Sequence, residues 1–312
     1  MAKPTFKANP IQVQVPATSA NLGPGFDSFG LAFGMHDRYV AQILDEGGLD
    51  IDVTGEGADE VPRNEKNLLV KAMYKGFDFL GGKPKGVAVR ALNVIPHGRG
   101  LGSSASAIIG GLVLARSLVL TGSDKMSDEA LLNLANEMEG HPDNVAAALY
   151  GGATVAWQDV VKGKAIAHAV HLPVDPRIKV MAFIPSTPLA TKKARAMLPE
   201  SIPFADAQRN SSNAALMTQA LTIRPDLLFT ATEDFLHQTY RESAMPKSYA
   251  LMQKLRAAGV ASFISGAGPT VLALLVDADL NHELDDLVRA AGSGFEVENL
   301  DISGVGYQVS NI

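Results

Sequence analysis

Apolar and polar residues alternate from Ile11 to Pro16, the period of a strand buried on one face, and Tyr39–Leu44, Leu49–Thr54 and Gly86–Val94 read the same way. Residues 67–80 switch to helical spacing and stop at Gly81-Gly82. The run Ile108–Leu120 is almost continuously apolar, which predicts a helix starting near Ser103 or Ser104. With Arg116 and two glycines it is too short and too interrupted to span a bilayer, so it reads as a core helix. Ser127 is placed to cap a helix running through Leu131, Leu134 and Met138 to Gly140, with Asp128 and Glu129 at its positive end. His141-Pro142-Asp143-Asn144 re-enters a short helix with Asp143 as its cap; Gly151-Gly152 ends it, and Ala153–Trp157 is a strand.

The second half repeats the mixture. Lys179–Ile184 reads as a buried strand, and Pro246–Ala258, closed by Gly259, as a helix with proline first and glycine last. A strand at Ala261–Ile264, a glycine turn, a strand at Val271–Val276, a helix near 281–291 and C-terminal strands follow. The proline-rich stretch Leu172–Pro176 suggests a boundary, giving domains at 1–172 and 173–312. This is an α+β pattern.

Composition narrows the class. The 312 residues are 46% hydrophobic and 19% charged, enough for an ample core, and the net charge of −6 with scattered lysines and arginines argues against a nucleic-acid surface. The absence of cysteine excludes disulfides and cysteine metal sites and fits the cytoplasm. The first residues lack the apolar segment of a signal peptide, so neither export nor a membrane anchor is expected.

Candidate chemistry lies in Pro96-His97-Gly98-Arg99-Gly100-Leu101-Gly102-Ser103-Ser104-Ala105-Ser106. Alternating glycines let backbone approach an anion, and a helix starting just beyond them aims its free N–H groups at it. The serine hydroxyls could cap the helix, bind phosphate oxygens or reach a phosphate-bound Mg²⁺. No Gly-Lys-Ser/Thr follows, so this is not a Walker A loop, and no protein-kinase signature occurs. Two more Gly/Ser-rich segments, Pro16–Asp27 and Ser265–Thr270, argue for one composite site drawn from the whole chain.

These three segments, in this order, resemble the three motifs of the GHMP kinases. Ala17–Asp27 and Glu139-Gly140-His141-Pro142-Asp143-Asn144-Val145-Ala146 are most similar to the branch that phosphorylates L-homoserine on the way to threonine. The resemblance implies an N-terminal domain like ribosomal protein S5 domain 2, with a left-handed βαβ crossover, and a ferredoxin-like C-terminal domain. It implies ATP and Mg²⁺ as cofactors, with Pro96–Ser106 as the nucleotide loop and Ser104 and Glu139 as metal ligands. Ser103 and Glu137 stay open as alternatives. L-Homoserine would be held by Arg195 and Arg241 at its carboxylate, by Asn21 and Asp27 at its ammonium, by Thr191 at the head of the Arg195 segment, and by Asn144 at the hydroxyl. Asn144, Asp143 and Glu139 are the implied catalytic set.

From the residues alone, Glu139 reads as a solvated glutamate, Asp27 as a turn residue, Asn144 as a helix cap, the two arginines as surface charges, and His141 as structural. The branch puts asparagine where other GHMP kinases put an aspartate, so Asp143→Asn is expected to keep measurable activity. Ser106 departs from a run of small apolar residues in relatives, and its hydroxyl is expected to bond a preceding carbonyl. Asn64 and Asn67–Leu69 are expected at the adenine pocket, and Ser265–Thr270 is expected to buttress the first motif. A kinase for another small alcohol, or an inactive nucleotide-binding regulator, are the competing readings. The resemblance is compatible with a homodimer.

Overall fold

The switch from strand period to helix period places β1 (Ile11–Ala20), β2 (Phe29–Leu44), β3 (Gly48–Gly55), α1 (Leu68–Phe79) and β4 (Gly86–Asn93) at the start of the chain. In this computed structural model, residues 3–276, 285, 288, 289 and 294–312 are described. Next come α2 (Ser103–Leu118), α3 (Gly122–Lys125), α4 (Asp128–Glu139), α5 (Asp143–Tyr150), β5 (Ala153–Val161) and β6 (Lys164–Leu172). The second half holds β7 (Lys179–Pro185), α6 (Thr191–Arg195), α7 (Phe204–Thr222), α8 (Leu228–Ala231), α9 (Pro246–Ala257), β8 (Ala261–Ile264), β9 (Val271–Leu275), β10 (Phe295–Leu300) and β11 (Gln308–Asn311).

The first sheet has the order β11-β1-β2-β4-β3, with β5 pairing both β2 and β6. Its β3–β4 pair is parallel and is joined through α1, a βαβ crossover. Val13, Val15 and Tyr39 of the sheet pack with Met73 and Phe77 of α1, Ile109 and Leu112 of α2, Leu131 of α4 and Val145 of α5. Caps follow the expected chemistry: Asn67 accepts from Leu69 N, Ser127 accepts from Ala130 N, and Gly140 closes α4 in the left-handed region.

The second sheet is antiparallel with the order β10-β7-β9-β8. Numbered within its own half this is 4-1-3-2, the ferredoxin-like order. A second core joins the halves: Leu22, Phe29, Leu31 and Phe33 pack with Val180, Ala182, Phe263, Leu272 and Leu274, and with Met217 and Leu221 of α7. The strand β11 pairs with β1 from Ile11↔Asn311 to Gln14↔Gln308, so the 173–312 segment lends its last strand to the first sheet.

Several boundaries differ from the pattern. Strand β1 runs on to Ala20 rather than ending at Pro16, so the first Gly/Ser motif begins inside a strand, after an irregularity at Pro16/Ala17. Strand β2 begins at Phe29, well before Tyr39, and α2 stops at Leu118. The apolar pattern did not reveal α7: it buries Asn210 and Asn213 alongside Met217, Ala220 and Leu221, so two of its five buried residues are polar. The helix expected over 281–291 lies outside the described residues except for Asp285, Val288 and Arg289. No helix among the described residues is long and apolar enough to cross a membrane.

Candidate active site

The three Gly/Ser-rich segments meet at one cleft of about 600 Å³, lined by Gly98, Gly100, Gly102, Ser103 and Ser104, by Ala20, Asn21 and Asp27, and by Gly266 and Ala267. Gly102 is the N-cap of α2 at φ +76°, and a Cβ there would lie 2.0 Å from Thr18 Oγ1. Gly100, at φ +81°, would bring a Cβ to 2.4 Å from Ser265 O. Of the roles open to the serines, capping is not used: Gly102 stands at the N-cap of α2 and makes no side-chain cap, and among the described residues no side chain accepts from the first-turn N–H groups at the cleft wall. The loop is clamped from both sides. Thr18 N donates to Leu101 O, Leu189 N to Gly98 O, Thr270 N to Arg99 O and Ser265 Oγ to Gly100 O. The third segment buttresses the first through Gly266 N donating to Ala20 O (3.1 Å) and Asn21 Nδ2 donating to Gly266 O (2.9 Å), with the Ser265 and Ser19 hydroxyl oxygens 2.9 Å apart.

Six residues of the expected nucleotide loop do not line this cleft, and the side chains of five of them serve the scaffold instead. Leu101 and Ala105 are buried in the cores. Pro96 and Arg99 face an outer groove with Pro185 and Ser186, and the Arg99 guanidinium donates to Pro185 O, His97 O and Ser186 O. Ser106 is fully buried; its hydroxyl donates to Asp37 Oδ2 at 2.8 Å rather than to a preceding carbonyl. His97 lines a second, adjoining cleft of about 860 Å³ that shares Gly98, Ser103 and Ser104. Asn67, Leu68, Leu69, Val61 and Tyr39 also line it. Asn64 does not; its Oδ1 accepts from Lys66 N.

Opposite the loop, the last turn of α4 brings Glu139 Oε2 to 2.7 Å from Ser104 Oγ. Glu137 points elsewhere, to Lys75 Nζ at 2.7 Å, so of the two glutamates Glu139 meets the loop. Past Gly140, Pro142 occupies the N-cap of α5, and Asp143 is its first helical residue rather than its cap. Asp143 is buried and its Oδ1 accepts from Asn144 N (2.8 Å) and meets His141 Nδ1 (3.2 Å). Burial alone would lower the His141 pKa, but the hydrogen bond to Asp143 and its charge outweigh that, and the net shift is upward. Asn144 Oδ1 accepts from Thr18 Oγ1 at 2.9 Å.

Charged side chains make the remaining wall. Asp27 and Asn21 hold φ of +55° and +71°, a conformation rare for residues with a side chain and here locked by Asn21 Oδ1 accepting from Asp27 N. Arg195, at the end of α6, pairs with Asp27 through both guanidinium nitrogens, at 3.1 and 2.5 Å. Thr191, at the head of α6, lines the same cleft. Arg241 is 1% exposed and donates to His237 Nδ1 (3.0 Å), Gly266 O (3.3 Å) and Ala194 O (3.3 Å), with no carboxylate bridging it among the described residues. Burial, helped by Arg195, lowers its pKa to about 10. His237 is buried and its pKa is lowered, chiefly by desolvation. Its Nε2 meets Gly23 O, which assigns the proton to Nε2 and leaves Nδ1 as the acceptor for Arg241. The Phe26 ring lies within 5.3 Å of the Arg195 guanidinium and 5.6 Å of that of Arg241.

All the expected acceptor residues, Asn21, Asp27, Asn144, Thr191, Arg195 and Arg241, therefore share one cleft with Glu139 and Asp143. Sequence reasoning set aside His141, which lines it too, and passed over His237, which orients Arg241 from behind. Oxygen and nitrogen atoms of Asp27, His141 and Asp143 lie within 4.8 Å of one another.

Residues 67–152 match the family model for the GHMP kinases N terminal domain, and residues 213–294 that for the GHMP kinases C terminal domain. The chain is 48% identical over 309 residues to a homoserine kinase of Streptomyces avermitilis, covering 99% of this chain and 98% of that one. It is 45% identical over 289 residues to one of Mycobacterium tuberculosis, covering 92% and 90%. The crystal structure of homoserine kinase from Cytophaga hutchinsonii superposes with a TM-score of 0.82 at 26% identity, covering 99% of this chain and all of that one.

Proposed function

The chain belongs to the GHMP kinase family, and from that membership we propose that it is a homoserine kinase, transferring the terminal phosphoryl group of ATP to the side-chain hydroxyl of L-homoserine and so feeding threonine synthesis. The observation that carries the substrate is the charge layout beside the phosphate loop. Arg241 is a buried guanidinium whose hydrogen-bond partners among the described residues are all neutral, and beside it Arg195 and Asp27 neutralise one another. A zwitterionic amino acid matches this wall. Its carboxylate meets Arg241 and Arg195, two forked donors suited to carboxylate geometry. Its ammonium meets Asp27 and the side-chain oxygen of Asn21. Mevalonate lacks the ammonium and a sugar lacks both charges, so either would leave part of this wall unanswered.

In this reading Gly98–Ser104 and the first turn of α2 hold the phosphates, and the cleft along Asn67–Leu69 takes the adenine. Ser104 Oγ and Glu139 Oε2 are hard oxygen donors 2.7 Å apart, a set that suits Mg²⁺, an ion that keeps several of its waters. Mg²⁺ held there would offset phosphate charge during transfer. The Asn144 amide, its oxygen already engaged by Thr18, keeps its Nδ2 donor for the acceptor hydroxyl. The Asp143 oxygen that meets His141 and Asn144 N is engaged, which agrees with a reaction driven by positioning and charge stabilisation more than by a protein base. The same reading makes the protein a cytoplasmic enzyme of small-molecule metabolism and is compatible with a homodimer.

A coupled assay with Mg²⁺ and ATP tests this, with L-homoserine, L-serine, L-threonine, mevalonate and galactose offered in turn. Turnover chiefly with L-homoserine is expected. Turnover chiefly with mevalonate or galactose would overturn the substrate, and no turnover with any acceptor would favour an inactive regulator.

A further inference from the structure

We propose that Asp37 is the positioning residue of the phosphate loop: a single buried carboxylate that fixes both the point where the loop leaves β4 and the point where it enters α2. The β2–β4 ladder ends at Arg38↔Leu92, and β4 itself ends at Asn93. The next two N–H groups, of Val94 and Ile95, have no strand left to pair with. They donate instead to Asp37 Oδ1, at 2.7 and 2.9 Å. The other oxygen, Oδ2, accepts from Ser106 Oγ in the first turn of α2 and from Tyr39 Oη, both at 2.8 Å. The two ends of Pro96–Gly102 thus converge on one carboxylate.

Asp37 is 1% exposed and no cation bridges it among the described residues, so four neutral donors alone satisfy its charge. Losing any one of them leaves a buried carboxylate less well satisfied, at a cost in how firmly it holds the rest. Burial and the neighbouring Asp37 charge raise the Tyr39 pKa well above its ordinary value, so that hydroxyl stays a donor. The contacts of Asp37 lie at the ends of the phosphate loop and none of them reaches the acceptor wall, where Asn21 bonds Gly266 O and Arg241 bonds His237, itself fixed by Gly23 O. Loosening Asp37 therefore shifts the glycine cradle against the α2 N-terminus and leaves the acceptor wall in place.

This inference rests on the nucleotide reading of the loop and is tested without turnover, by calorimetric titration of ATP with Mg²⁺ into the protein in the absence of acceptor, alongside the KM for L-homoserine. Ser106→Ala, which removes one of the four donors, should weaken ATP binding about fivefold, and Asp37→Ala more than about tenfold. Asp37→Asn should recover most of that loss, because its amide oxygen still accepts from Val94 and Ile95 while its NH₂ donates to the two hydroxyls. The acceptor KM should stay within about twofold. Should Asp37→Ala fail to fold, Ser106→Ala and Asp37→Asn decide. Wild-type ATP affinity in folded Ser106→Ala, or a parallel loss of ATP and acceptor affinity, overturns the proposal; wild-type protein that binds no ATP sinks the nucleotide reading with it. Absence of turnover with L-homoserine alongside normal ATP binding would touch the substrate assignment alone.

Discussion

On one wall of the cleft Gly98, Gly100 and Gly102 present backbone; on the other Asp27, Arg195 and Arg241 present charged side chains. The backbone wall is rigid because other segments grip it at Gly98, Arg99, Gly100 and Leu101, and it carries no net charge to satisfy when empty. The charged wall partly satisfies itself, Arg195 turning to Asp27 and Arg241 to His237. Backbone donors offer an anion a fixed geometry at no conformational cost to long side chains. Charged side chains offer discrimination, because a ligand with the wrong charges must break an ion pair without replacing it.

The largest effect is expected where the backbone wall has no room. Gly102→Ala combines a left-handed φ with a Cβ 2.0 Å from Thr18 Oγ1, so the N-cap of α2 must move. A displacement of about 1 Å in a positioned group can cost about a hundredfold in rate, and kcat/KM should fall by at least that much while circular dichroism reports a folded protein. Gly259→Ala is the control: its φ is +83°, but nothing lies within 4 Å of an added Cβ. It should cost some stability and leave kcat/KM near wild type. Similar activity losses in both variants would mean that the glycines serve chain conformation alone and that the two walls do not differ as argued.

A smaller effect separates the two arginines. Arg241→Ala removes a buried donor and leaves Ala194 O, Gly266 O and His237 Nδ1 without it, so the KM for L-homoserine should rise by roughly a hundredfold with the KM for ATP little changed. The Arg195 side chain is 36% exposed and must leave Asp27 before serving a ligand. Its net gain on binding is smaller, and Arg195→Ala should raise the same KM by roughly tenfold. Steady-state kinetics at saturating ATP read both, and a larger effect at Arg195 would reverse the ranking drawn from burial.

The two walls were not equally legible. Alternating glycines before an apolar run pointed to the backbone wall, because positive φ at 98, 100 and 102 is a demand few other residues meet. That Gly102 and not a serine would stand at the N-cap of α2 was not readable, since serine and glycine are both common N-caps and the left-handed φ of 102 shows only in the fold. Arg195 and Arg241 came only through family resemblance: each sits in a polar stretch that reads as solvated surface, and Arg241 is buried by packing with segments near positions 23, 194 and 266. Asp37 and Asn210 left no pattern at all. Their value lies in bonds to backbone distant in the chain, Val94 and Ile95 for one and Pro24 and Phe235 for the other. Most strands of the second sheet were legible one by one, but their 4-1-3-2 order came only with the family resemblance, and the return of β11 to β1 depends on a pairing across nearly the whole chain.

The smallest effect expected belongs to His141 and Asp143, where the two walls adjoin. Burial pushes the His141 pKa down, while the hydrogen bond and charge of Asp143, aided by Glu139, push it further up. A folded-state pKa above the unfolded value means that protonated His141 stabilises the fold. That contribution is complete below the unfolded pKa of about 6.5 and disappears as pH rises through the higher folded value. Thermal denaturation of wild type and His141→Asn should therefore diverge most at acidic pH and converge in alkali; the opposite trend would mean that desolvation prevails. Asp143→Asn removes the charge that holds the His141 proton but keeps an oxygen for Asn144 N, so it should flatten the same pH dependence and still turn over measurably. If this variant stays folded yet falls to background activity, Asp143 is the base, and this part of the charged wall does chemistry rather than positioning alone.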